Sequence, residues 1–226
     1  MTTDAPTPAR SYAGMSAEDR VAERRARLLE AALELMGTKG ASATTVRGVA
    51  EESGVAARYV YESFTSVEAL HLAVFDAIAA ESAERAIAAL MAVPDHADDA
   101  SRTARVRAVL AAMADLMLED PRKGRVVLQE AVSSPVLGPR LLEESRRFAA
   151  MLAATASVGD PLAPSADLPA GLRLTAHFLI GGVAHAFAAV LEGDVDVDRE
   201  ELVDVLVELF LTVDAQPLPD SHWDQL

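Results

Sequence analysis

Apolar residues recur along this chain at three- and four-residue spacing almost from end to end, and the pattern breaks at glycine, proline and acidic residues. Leu28, Ala31, Ala32, Leu35 and Met36 form the first such face, and that period places them on one side of an α-helix. Ser16 with Asp19 has the spacing of a capping box and Gly40 follows the last turn, so the pattern predicts a helix over 17–38. A second helix begins near Thr45, whose hydroxyl can accept from unpaired backbone N–H groups, and stops at Gly54; a third covers 56–62. Thr65 with Glu68 then opens a long helix through Val67, Leu70, Val74, Ile78, Ile87 and Leu90 that Pro94 terminates.

Beyond an acidic loop at 95–100, helices are expected over 102–119, from Asp120-Pro121 onward, and over 140–157, with a break from Ser134 to Pro139. Gly159 to Pro169 reads as the longest loop, before helices near 170–191 and 199–213. The stretch from Leu174 to Leu191 approaches the apolarity of a membrane span, but it contains His177 and His185 and only just reaches the needed length. A buried helix is the expectation there. Residues 1–15, with Pro6, Pro8 and Gly14, predict a flexible arm, and residues 216–226 a loose tail.

Composition narrows the function classes. The apolar content of 51% rests on Ala, Leu and Val with 4% aromatics, which favours packed helices and an all-α fold. With no cysteine, disulfide scaffolds, thiol catalysis, zinc ribbons and iron–sulfur clusters are excluded. The first residues lack the apolar run of a secretion signal, so a cytoplasmic protein is expected, with no membrane partner. The net charge of −15 argues against a nucleic-acid partner until its distribution is considered. Residues 1–66 carry 8 Lys+Arg against 9 Asp+Glu, while residues 67–226 carry 12 against 26. Within the first part, Arg20, Arg24, Arg25 and Arg27 stand close together; a local basic surface and a solvated helix face explain them equally well.

The most informative stretch is TTVRGVAEESGVAARYVYESF, residues 44–64. Two short helices crossing steeply need a small residue at the crossing, a residue free to adopt positive φ in the turn, and an apolar anchor on the second helix. Ala50, Gly54 and Val60 supply these at helix-turn-helix spacing, with Val49 and Val55 facing inward. Phe64 repeats the inward face. In register with Gly40, Thr44-Thr45-Val46-Arg47, Ala50, Gly54-Val55, Tyr61, Phe64, Ser66, Glu68 and Leu70, residues 16–75 resemble the amino-terminal region of TetR-family transcriptional regulators.

That resemblance implies a three-helix DNA-binding unit over 16–65 and a helical regulatory and dimerisation domain over 66–215. It places the third helix in the major groove, so that Ala56, Ala57, Arg58 and Tyr59 meet base edges. Arg58 can bond guanine O6 and N7 together. Thr45 and Arg47 stand at the start of the second helix, where hydroxyl, N–H groups and cation converge on a phosphate. Tyr61 resembles the family's phosphate-contacting tyrosine. Three positions depart from the pattern: Ala56 replaces the usual hydroxyl cap, Gly48 lies inside the second helix, and Val67 replaces a common lysine.

For the second domain the expectation is an unidentified small-molecule effector in an apolar pocket lined by Met113, Leu116, Met117, Phe148, Met151 and Phe178, residues that ordinary core packing would also use. A homodimer interface is expected from His177, Gly181, Gly182, His185, Leu202, Leu206 and Leu209, on two closing helices that the resemblance places in an intersubunit bundle. Intrachain packing is the alternative for the same stripe. His177 and His185 lie too far apart on one helix to share a metal, and no metal, cofactor or catalytic arrangement is organised by the sequence. The whole reads as a regulator, repressing from a palindromic double-stranded DNA operator and released by its effector. The competing reading is an all-helical protein-interaction module in which the helix-turn-helix is structural.

Overall fold

Polar side chains cap several helices of the computed structural model, which describes residues 16–164 and 168–214. The expected arm over 1–15 and the tail over 216–226 lie outside the described residues. The order is α1 (Ala17–Lys39), a 3-10 turn (Ala41–Ala43), α2 (Val46–Ser53), α3 (Ala57–Ser63), α4 (Val67–Ala92), α5 (Asp99–Glu119), α6 (Pro121–Arg125), a π-helical turn (Val126–Glu130), α7 (Ala131–Ser133), α8 (Gly138–Val158), α9 (Ala170–Glu192) and α10 (Arg199–Asp214). The fold is all-α.

The Ser16–Asp19 capping box is formed in both directions at 3.0 Å. Thr45 caps α2 by accepting from the Gly48 N–H at 3.1 Å. At α4 the cap is Ser66, which accepts from the Ala69 N–H, and not Thr65 as the sequence pattern implied. Asp98 accepts from the Ser101 N–H at 2.7 Å and starts α5 at Asp99, so the last two residues of the expected acidic loop are helix. An aspartate at an N-cap is stabilised by the N–H groups and dipole it faces.

One apolar core joins the first four helices to a later segment. Leu28, Ala32 and Met36 of α1, Val49, Val55, Val60 and Phe64 of the short helices, and Leu70, Val74, Phe75 and Ile78 of α4 are buried together. Val126, Ala131 and Leu137, from the π turn, α7 and the following loop, complete the same core. A second core packs Leu110 and Ala114 of α5 against Phe187 of α9 and Leu202, Val203, Leu206 and Val207 of α10. A third holds Ala149 and Ala153 of α8 against Ala176 of α9.

The stretch from Leu174 to Leu191 is not the buried helix expected. α9 is long and apolar enough to cross a membrane by length and composition, yet only 22% of its most apolar window is buried within the chain. Ala176, Leu179, Phe187 and Ala188 face inward, whereas Leu174 and Phe178 are 60% and 65% exposed. Helical periodicity reports that a helix has an apolar face; it does not report whether the same chain covers it.

Candidate functional site

α2 and α3 meet through the turn at Gly54, whose φ of 64° lies in the left-handed region that a Cβ disfavours. Val49, Val55 and Val60 wedge beneath them at no more than 6% exposure. With three valines pinning the inner side, the opposite side of α3 is presented to solvent: Ala56, Ala57, Arg58 and Tyr61 are exposed and Tyr59 is half-buried. Ala56 makes no side-chain cap, so the first N–H groups of α3 lack the internal partner a hydroxyl would give.

Arg58 lies over the Tyr59 ring, 4.6 Å from its centroid, and donates to the Tyr59 hydroxyl at 2.9 Å. An exposed cation–π contact is worth about 0.5–1 kcal/mol. A bidentate guanine contact discriminates by about 1–3 kcal/mol, so the resting contact can be exchanged for a base edge. Arg47 is 89% exposed on its side chain and pairs with Glu51 one turn on, at 2.7 Å. The hydrogen bond to Glu51 raises the Arg47 pKa above its ordinary value. Such an exposed pair is worth at most about 1 kcal/mol and is readily exchanged for a phosphate. Thr45, exposed at the α2 cap, completes this edge.

The other arginines hold the unit together. Arg24 stacks on Tyr59 at 4.7 Å and Arg25 on Phe64 at 4.3 Å. Arg27 donates to the Ser53 carbonyl at 2.6 Å, closing the carboxy-terminal end of α2 beside Gly54. Cations there complement the helix dipole. The sequence showed a basic run; its division into stacking and capping arises only from residues 26 to 39 positions away.

Further long-range contacts tie α1 to the segment after α5, and local sequence carries no sign of them. Arg122 of α6 bridges Glu30 and Glu34 of α1, both at 2.9 Å, and also Asp120. These carboxylates hold the Arg122 guanidinium well above its ordinary pKa, while Arg122 lowers that of Asp120. Arg125 donates to the Gly37 carbonyl, and Glu130 accepts from the Ala41 N–H at 2.7 Å. The contacts from α6 and the π turn therefore reach the turn that leads into α2.

Between α4, α5, α8 and α9 lies a cavity of about 620 Å³, lined mostly by apolar side chains. Met113, Phe148 and Met151 line it, with Ile87, Leu90, Val109, Ile180 and Val183. Leu116, Met117 and Phe178 do not. Leu116 and Met117 are core residues at 1% and 7% exposure, and Phe178 projects outward from α9. Along α5 the lining runs from the cap Asp98 to Met113 and ends before the turn that carries Leu116 and Met117. Among the described residues no group of three His, Asp or Glu is placed to hold a metal ion.

The expected interface residues divide similarly. His177, Phe178, Gly181, Gly182 and His185 share the exposed face of α9 with Leu174. Leu209 is 57% exposed beside Val205 on α10, but Leu202 and Leu206 are buried against α5 and α9 and cannot meet a second chain without unpacking this one.

Residues 28–74 match the model of bacterial regulatory proteins of the tetR family. No curated protein matches the chain by sequence. Among solved structures, the fatty acid degradation regulator FadR from Bacillus halodurans is similar at 16% identity and TM-score 0.67, over 83% of this chain and 94% of that one. FadR from Bacillus subtilis, solved with stearoyl-CoA, is similar at 18% identity and TM-score 0.65, over 83% and 98%. A tetR-family regulator from Streptomyces coelicolor is similar at 20% identity and TM-score 0.67, over 85% and 80%. At these identities the likeness to solved structures is one of fold. The matched segment covers α2, α3 and their wedge of valines, so residues 28–74 are similar to the amino-terminal region of tetR-family regulatory proteins, and the helical layout beyond it shares the fold of these solved structures.

Proposed function

We propose that this protein is a transcriptional regulator that reads double-stranded DNA with α3, binds as a two-fold dimer through α9 and α10, and changes its DNA affinity when a small molecule enters the cavity. The observation that carries this reading is the buried valine wedge beneath exposed Arg58 and Tyr61, with Tyr59 half-buried between them. Arg58 reads a base edge, with the methyl groups of Ala56 and Ala57 beside it, and Thr45, Arg47 and Tyr61 hold the backbone. A chain with a net charge of −15 meets DNA through local cations, because beyond about 10 Å at 0.1 M salt its distant acidic groups are screened.

The exposed stripe of Leu174, His177, Phe178, Gly181, Gly182 and His185 with Val205 and Leu209 supports the dimer: its two glycines let helix backbones approach, and its large apolar side chains gain by being covered. A two-fold axis there implies a roughly palindromic operator. The cavity supports a small-molecule effector, since its volume falls within the range of about 300–1,000 Å³ usual for ligand sites. The stearoyl-CoA bound by the Bacillus subtilis neighbour supports an apolar one.

DNA fragments selected from a genomic library by the full-length protein provide the operator for testing. Measured by fluorescence anisotropy against salt, Arg58→Ala loses preference for the selected fragment over random duplex. Arg47→Ala weakens both and lowers the salt slope by about one unit. Wild-type behaviour by both variants refutes the contact assignment; absence of any salt-dependent duplex binding by the wild type favours the protein-interaction module instead.

A further inference from the structure

The cavity has a charged neck. Asp95 and Asp98, from the loop joining α4 to α5, and Arg102 and Arg105, one turn apart on α5, line its edge, while most of the wall beyond them is apolar. Asp98 is committed as the cap of α5. Arg105 and Asp95 form an ion pair, and Asp95 also accepts from the Ala97 N–H at 3.0 Å.

The two partners of this pair differ in their access to water. The Arg105 side chain is 11% exposed and that of Asp95 is 52% exposed. A largely buried guanidinium left without a carboxylate is strongly unfavourable, whereas a half-exposed carboxylate can return to solvent at little cost. Of the two, Asp95 is therefore the member that an incoming group can replace. A ligand acid that takes its place keeps Arg105 neutralised, and it can form the forked pair that guanidinium and carboxylate geometry favours. A ligand cation pairing with Asp95 would strand Arg105 instead.

We propose that the cavity binds an amphiphile with an apolar body and one terminal carboxylate, and that this carboxylate displaces Asp95 from Arg105. The apolar part lies along Leu90, Val109, Met113, Phe148 and Ile180. The displaced Asp95 stands three residues beyond the end of α4, the helix that begins next to the DNA-reading unit, so the ion pair that the ligand breaks joins the segment after that helix to α5. The proposal rests on the cavity being the effector site.

Isothermal titration calorimetry of the full-length protein with decanoate, 1-decanol and decyltrimethylammonium tests it. Decanoate binds about tenfold more tightly than the alcohol, a difference set by the charge-assisted pair. Asp95→Asn removes the competing carboxylate and tightens decanoate binding by a similar factor, while Arg105→Gln abolishes the preference; neither change affects the alcohol. Should Arg105→Gln fail to fold, the opposite-signed Asp95→Asn result still decides. Tightest binding by the ammonium compound, equal binding of acid and alcohol, or weaker decanoate binding by Asp95→Asn overturns the proposal while leaving the cavity as the effector site. Failure of all three probes to bind overturns both.

Discussion

Gly37→Ala probes the seam between α1 and α6. Gly37 is buried in α1, and a Cβ built there lies 2.5 Å from the Arg122 Cβ and 2.7 Å from its Cα. Ordinary carbon contacts are about 3.5–4.0 Å, so α1 and α6 must separate by about 1 Å, because the obstruction is backbone and cannot swing aside. The same displacement stretches the Arg122 bonds to Glu30 and Glu34. Overpacking of this kind costs about 1–3 kcal/mol. Alanine recovers about 0.8–1.0 kcal/mol of helix propensity over glycine. The net expectation is a loss of up to about 2 kcal/mol, read as a fall in Tm of up to about 8 °C for a chain of this size. Gly48→Ala serves as the comparison: its nearest neighbours are the Thr45 Oγ1 at 3.3 Å and the Leu35 Cδ1 at 3.5 Å, so the propensity gain prevails and Tm holds or rises. Thermal unfolding followed by circular dichroism measures both. A Gly37→Ala protein as stable as the wild type, or more so, refutes the close approach of α1 to α6.

Other perturbations have equally definite signs. His71 is buried on α4 with its Nε2 lacking a hydrogen-bond partner among the described residues, and burial holds its pKa below the usual value of 6.5. The unfolded chain therefore takes up a proton that the folded one resists. The His71 contribution is fully present above pH 6.5 and declines as pH falls toward the lower folded-state value; urea titrations across that window show a decline that His71→Gln reduces. Glu130→Ala removes the carboxylate that accepts from Ala41, a charge-assisted bond worth about 1.5–3 kcal/mol, and the Ala41 amide then loses about tenfold or more of its hydrogen-exchange protection; unchanged protection excludes the tether. Leu174→Glu with Phe178→Glu places carboxylates on the exposed face of α9, giving a folded monomer in analytical ultracentrifugation with unchanged helicity; a persistent dimer places the interface elsewhere.

Much of the fold was legible locally. The 3.6-residue apolar period, Ser16 with Asp19, the positive φ required at Gly54 and the stops at Pro94 and Gly40 are properties of neighbouring residues, so the sequence determined most helix limits to within a residue or two. It also determined the helix-turn-helix, because a small residue, a glycine and a valine must stand at particular offsets for two short helices to cross. Tertiary structure alone decided which side of each helix the rest of the chain covers. Leu202 and Leu206 turn inward while Leu209 turns outward, because that outcome depends on the rotation of α10 against its neighbours, and Met113 reaches the cavity while Met117 does not, because packing decides how far along α5 the cavity extends. The same holds for Arg122, Glu130 and Arg105: an ion pair or a capped N–H assembled across the fold leaves no periodic trace, and only the packed chain brings its partners within reach.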